Sequence, residues 1–236
     1  MSDSTAGRHS EPLPSLGARR VLLTQTIADT IAEAIAAKRL GPGARIVESV
    51  AAGELGVSRV PLREALKVLH AQGILTGEGH KGYRVAVFDR RHARHVFETR
   101  LALETLLLRG ALARWREGSA TMEGLDEAIR RMEGAAAAGN ASASLRADLD
   151  FHRWICRSAD NAFVATLWNA IERHILIIFS DERYRDGDLA AVAQHHAQFR
   201  DRIVAMVRGA PASETSIRNA LAGHLFLAAG DASNSE

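Results

Sequence analysis

A single cysteine, Cys156, is all the thiol chemistry this chain has. That excludes an intrachain disulfide and fits a reducing compartment, so a cytoplasmic location is expected. Lying on an apolar helix face, Cys156 reads as a small packing residue. No apolar run approaches the ~18–20 residues that a membrane span requires. Net charge is only +2, so any surface for a polyanion must be a local one. Internal repeats and a His-Glu-x-x-His pair are also missing. The Gly77 and Gly79 pair is too short for a phosphate loop and does not stand between a strand and a helix. Apolar residues are plentiful at 47% of 236, enough for a substantial core. The length suits two domains of about 70 and 145 residues.

The stretch from Gly56 to Leu66 carries the most information. Gly56 suits a tight turn between helices. Ser58 is a good N-cap, and Pro61 is tolerated in a first turn whose N–H groups lack intrahelical partners. Leu62, Ala65, Leu66 and Leu69 share one helical face, leaving Arg59 and Arg63 (i, i+4) together on another. Arginines at the start of a short helix are what reading a major groove requires, although two solvated arginines would look the same. Upstream, Ile27, Ile31 and Ile35 form a ladder on a helix that stops near Gly41-Pro42-Gly43, and a short segment over 48–55 leads into the turn. Downstream, the glycines of 77–82 and the alternating Tyr83-Arg84-Val85-Ala86-Val87 predict a β-hairpin. Three helices and a hairpin make a winged helix-turn-helix.

Beyond Asp89 alternation gives way to helical periods, with helices expected over 91–115, 120–138, 143–158, 161–184, 188–208 and 213–229. The fold class is mainly α: the winged unit, then an all-helical antiparallel bundle of about six helices. The expected organisation is a disordered arm over 1–18, a DNA-binding domain over 19–88, a hinge at 89–92, a helical domain over 93–230 and a tail over 231–236. The apolar ladders are Leu103, Leu106 and Leu107; Phe163, Leu167, Ile171, Ile175 and Ile178; and Val192, Phe199, Ile203 and Met206.

Polar residues interrupt those ladders. Asp148 and His152 share the stripe of Leu145, Leu149, Ile155 and Cys156, and His224 falls among Ile217, Leu221, Leu225 and Ala228. Inward-facing carboxylates and imidazoles cost several kcal/mol each if unpaired. A divalent cation would compensate them, and an i, i+4 Asp/His pair is one that a single helix supplies. Taken singly, each histidine reads first as a core or pocket residue hydrogen-bonded to a neighbour; it is the four inward residues together that point to a metal. On the fifth helix of the bundle, periodicity does not choose between His195 and His196.

Two sets of motifs resemble a known family. Ile27-Ala28-Asp29, Gly41 to Glu48 and Gly56 to Leu66 resemble the N-terminal domain of GntR-type bacterial transcription regulators. Arg100-x-x-x-Glu104, Asp148-x-x-Phe151-His152, Ala159-Asp160-Asn161, His196-x-x-Phe199 and Gly223-His224-Leu225 resemble the helical effector domain, FCD, of the FadR branch. The first resemblance implies that Arg59 and Arg63 contact operator bases or phosphates, with Arg45 near the backbone, Gly82 in the wing, and Ser58 and Lys81 in the same DNA-binding set. Ser49 and Ala51 depart from the pattern, where an arginine and a leucine are usual. The second implies Asp148, His152, His196 and His224 as metal ligands, zinc first with nickel and manganese as alternatives, and it favours His196 over His195. It also implies that Arg100 pairs with an effector carboxylate; a surface salt bridge with Glu104 is the competing reading. Arg208 to Ser213 is longer than usual before the last helix.

The expected function is a cytoplasmic, homodimeric repressor that binds a short palindrome in double-stranded DNA. A small carboxylate at the metal would control it. The alternatives are an all-helical metalloenzyme, in which the metal activates water, and a DNA-binding dimer with a purely structural metal.

Overall fold

The computed structural model describes residues 18–77, 82–182 and 188–229. Of the expected terminal segments, 1–17 and 231–236 lie outside the described residues, as does Lys81 in the hairpin turn.

The N-terminal unit runs α1 (Ala18–Ala36), β1 (Arg45–Ile46), α2 (Glu48–Glu54), α3 (Arg59–Ala71), β2 (Leu75–Thr76) and β3 (Tyr83–Val85). The α1 ladder of Ile27, Ile31 and Ile35 is buried with Leu62, Leu66 and Leu69 of α3, so the two helices close one small core. The hairpin expected from alternation is present, and a third strand joins it: the antiparallel order is β1-β3-β2, with Ile46 opposite Tyr83 and Leu75 opposite Val85. Two residues are too few for alternation to announce β1; its pairing with β3 creates it.

Gly56 takes φ 64° between α2 and α3, as a turn of that sharpness requires. Ser58 stands at the N-cap of α3 in an extended conformation, yet its hydroxyl accepts no bond from the first turn. A cap oxygen accepts from the second or third helical N–H, and Pro61 at the third position removes one of these two.

The C-terminal unit is helical throughout its described residues: α4 (Arg90–Glu117), α5 (Glu123–Ala137), α6 (Ala141–Ala159), α7 (Ala162–Glu182), α8 (Leu189–Arg208) and α9 (Glu214–Ala229). Side-chain caps define several starts. Asp89 accepts from His92 N at 2.7 Å to begin α4, and Asn140 and Asp188 do the same for α6 and α8. Helix α4 is the central element, packed on α6, α7, α8 and α9, while α5 lies across α6 and α8.

Two ladders are phased differently from expectation. On α4 the buried stripe is Leu101, Leu107, Leu108, Ala111 and Leu112, with Arg100 and Glu104 inside it; Leu106 is exposed. On α7 Val164 and Trp168 face the core, and Phe163 and Leu167 face outward. Among the described residues, Leu106 of α4 and Phe163 and Leu167 of α7 are thus left uncovered.

Helix α7 also packs on α1, tying the two units together. Arg173 donates from Nε to Asp29 at 2.9 Å, from Nη2 to Gln25 at 2.7 Å and from Nη1 to Gln72, the C-cap residue of α3, at 3.2 Å. Ser180 Oγ donates to the carbonyl of Ala36 at 3.1 Å, and His92 of α4 stacks on His174.

Candidate functional site

Arg59 and Arg63 are exposed on the first turns of α3, which projects from the core that α1 closes behind it. Arg63 Nε donates to Glu48 Oε2 at 2.6 Å, an ion pair that its position beside Arg59 did not announce. It joins α3 to α2 across fifteen residues of sequence. Arg45 is exposed on β1, and its guanidinium lies against Gly82, where an added Cβ would come within 3.3 Å of Nε. Arg84 of β3 donates to the carbonyl of Gly43 at 3.0 Å, bracing the sheet beside it. The described part of the wing thus puts Arg45 and Gly82 side by side, while Ser58 and Ser49 are exposed near the turn.

In the helical unit, Asp148 and His152 of α6, His196 of α8 and His224 of α9 converge, and each is at most 2% exposed. The ring centroids of His196 and His224 are 4.6 Å apart, and those of His152 and His224 are 5.5 Å apart. One ligand atom from each of the three histidines lies within 4.8 Å of the others. Tetrahedral ligation at about 2.0–2.1 Å sets nitrogens ~3.4 Å apart, so the rings must draw together by up to about 1.4 Å to share one ion. His195, the alternative to His196, is half-buried and outside the cluster.

The hydrogen bonds supply a chemical test of what fits there. His196 Nδ1 is 2.9 Å from the carbonyl of Val192, which only accepts, so Nδ1 carries the proton. His196 Nε2 then faces Asp148 Oδ1 at 2.6 Å, two acceptors in the neutral ring and ionised acid. Only a proton or a cation between them makes that contact favourable. Asp148 Oδ1 also lies 3.4 Å from His152 Nε2, so one carboxylate oxygen looks toward two imidazoles. Three nitrogens and a carboxylate are a donor set for zinc or nickel.

Arg100 is 2% exposed and donates from Nε to Glu104 Oε1 at 2.7 Å. The salt bridge with Glu104 therefore exists, but it is buried in the bundle and not on a helix surface. Glu104 has further partners: Trp168 Nε1 donates to Oε1 at 2.9 Å, and His152 Nδ1 is 2.9 Å from Oε2. Burial pushes the Glu104 carboxyl up, and Arg100, His152 and Trp168 outweigh it, holding the carboxyl at about 2. Burial likewise pushes His152 down, and the Glu104 carboxylate more than reverses this, so its net shift is upward. Sequence reading treated Glu104 only as a partner for Arg100. Its place between Leu101 and Leu108 at helical spacing was the available signal that it faces inward.

Comparison with known proteins agrees with both halves of this description. Residues 23–85 match the family described as bacterial regulatory proteins, gntR family, and residues 95–219 match the FCD domain. A probable D-xylose utilization operon transcriptional repressor of Paenarthrobacter nicotinovorans is 30% identical over 161 residues, covering 68% of this chain and 70% of that protein. The Nta operon transcriptional regulator of Aminobacter aminovorans is 30% identical over 192 residues, covering 72% and 89%. Among solved structures, E. coli McbR/YncC superposes with a TM-score of 0.70 at 18% identity, covering 86% of this chain and 93% of its own, which establishes the shared fold. These families and relatives are DNA-binding transcription regulators and not enzymes. The chain belongs to the gntR family of bacterial regulatory proteins and carries an FCD domain behind its DNA-binding unit.

Proposed function

We propose that this protein is a cytoplasmic, homodimeric repressor whose operator affinity is set by a small organic acid bound at a divalent metal in the helical unit. One observation carries the metal: a buried carboxylate and three buried imidazoles from three helices meet, with two acceptors 2.6 Å apart. Asp148, His152, His196 and His224 hold the ion, zinc by preference. A bound ion supplies an electrophilic position at which a carboxylate oxygen is attracted. Arg100, with its charge already inside the bundle, pairs with the acid, since charge-assisted bonds in a water-poor site are stronger than surface ones. Arg59, Arg63, Arg45 and Gly82, together with Ser58 and Lys81, form the operator surface. The acid's unequal affinity for two arrangements of the units shifts the DNA-competent population. That the relative from Paenarthrobacter nicotinovorans is named a probable D-xylose utilization operon transcriptional repressor supports the repressor reading.

Elemental analysis of untagged protein tests the centre, with about one zinc per chain expected from a single four-ligand set. His152→Ala and His224→Ala should lose the metal and melt at a lower temperature. Binding should weaken as pH falls through the ordinary histidine range, because the ligating imidazole is neutral. Operator titrations with and without candidate sugar acids then test control. Protein that neither carries nor binds zinc, nickel or manganese rejects the centre. Metal-loaded protein whose DNA affinity no acid alters leaves a structural metal and rejects effector control.

A further inference from the structure

Glu104 is a buried carboxylate at which three helices meet. From α4, its Oε1 accepts from Arg100 Nε at 2.7 Å and from Trp168 Nε1 of α7 at 2.9 Å. Its Oε2 stands 2.9 Å from Nδ1 of His152 on α6. Every side chain in this group is at most 2% exposed, so water does not compete for these contacts. The approach to His152 is close but not aligned as a regular hydrogen bond.

We infer that Glu104 is a positioning residue for the metal centre: it anchors Nδ1 of His152 so that Nε2 faces Asp148, and it makes that nitrogen a stronger donor. The inference rests on the metal reading proposed above. A ligating histidine gives one nitrogen to the metal and its other N–H to an acceptor, which fixes the tautomer and the ring plane. His196 does this with the carbonyl of Val192 at 2.9 Å. His152 has a carboxylate in that place, a stronger acceptor than a carbonyl, so the two ligands are not equivalent. Arg100 and Trp168 in turn hold Glu104. An acid that pairs with Arg100 therefore draws on the same guanidinium that steadies Glu104, and acid binding and the orientation of His152 become linked through one side chain.

The competing account makes Glu104 no more than the counter-ion of Arg100. Zinc competition against a chromogenic chelator separates the two in the full-length wild type, Glu104→Gln and the double variant Arg100→Met/Glu104→Gln. Outer-shell carboxylates of this kind are typically worth 10–100-fold in metal affinity. Glu104→Gln should lose about that factor. The double variant removes the stranded arginine charge, so the melting temperature of the metal-free protein should recover while zinc affinity stays low. Wild-type zinc affinity in Glu104→Gln, or affinity that returns together with stability in the double variant, overturns the inference. Should Glu104→Gln fail to fold, Glu104→Asp keeps the counter-charge and withdraws it from His152; reduced zinc affinity is then expected, and unchanged affinity overturns the role. A wild type that binds no zinc rejects the metal centre and this inference with it, whereas zinc-binding wild type and variant of equal affinity reject only the role of Glu104.

Discussion

Arg63 spends the DNA-free state paired with Glu48 at 2.6 Å, at a site open to solvent, where such a pair contributes little. A phosphate or a guanine edge can therefore replace Glu48 at small cost. Arg59→Ala should lower operator affinity by roughly 1–3 kcal/mol if it reads a base, with relaxed sequence preference, measured by fluorescence anisotropy. A uniform loss over all sequences with a flatter salt dependence would assign it to the backbone instead; unchanged binding would remove it from the interface. Away from the DNA surface, Gly124 lies under the Trp154 ring, and an added Cβ would overlap that ring. Both Trp115 and Trp154 donate from Nε1 to the carbonyl of Thr121 at 2.9 Å, so the loop before α5 is pinned and has no room to yield. Gly124→Ala should cost about 1–3 kcal/mol by overpacking, seen as a lower melting temperature with metal content and DNA affinity retained. Neither the Arg63–Glu48 pair nor the Gly124–Trp154 contact is visible in a residue string, since the partners are close only in space.

Helix α7 links the two units at the scale of elements. Trp168 donates to Glu104 near the proposed metal ligands, and Arg173, five positions later, reaches Asp29, Gln25 and the C-cap of α3. A shift of α7 would therefore be felt at the base of the recognition helix. Arg173→Met should leave zinc binding intact and reduce hydrogen-exchange protection along α1; full protection in that variant would show that the apolar contacts suffice. At the same junction, burial and the neighbouring His92 hold His174 down at about 4 from its ordinary 6.5. The folded pKa is the lower of the two, so the contribution of neutral His174 is complete above about pH 6.5 and is lost as pH falls toward 4. Thermal stability should decline across that window, and His174→Phe should flatten the decline; an identical slope in the variant would place the acid sensitivity elsewhere. The histidines of this junction gave no pattern in sequence, because the stacking of His92 on His174 joins α4 to α7.

At the scale of the whole molecule, apolar side chains of two helices stay exposed among the described residues. Phe163 is 76% exposed and Leu167 43% exposed on α7, and Leu106 is 36% exposed on α4, although each belongs to a ladder that reads as core. In the homodimer proposed above, a two-fold partner would cover these residues. Phe163→Glu should shift the protein to monomer in sedimentation equilibrium and weaken operator binding, because two half-sites would then be bound independently. A variant that remains dimeric with wild-type operator affinity would place the two-fold contact on another surface.

Periodicity and turn chemistry are local, and what they encode was readable without coordinates. The ladder of α1, the Gly56 turn, the start of α3 and the inward placing of Asp148, His152 and His224 all follow from residues within a few turns of one another. Folding in three dimensions settled the rest, each time because a partner lay on a distant segment. The pairing of β1 with β3 makes a strand from Arg45 and Ile46. The orientation of α8 turns His196 rather than His195 toward Asp148. Three helices bring Glu104 from a supposed surface pair into the bundle, and packing decides which of two apolar faces on α4 and α7 becomes core. A sequence period states that a helix has an apolar side; the elements packed against it determine which side that is.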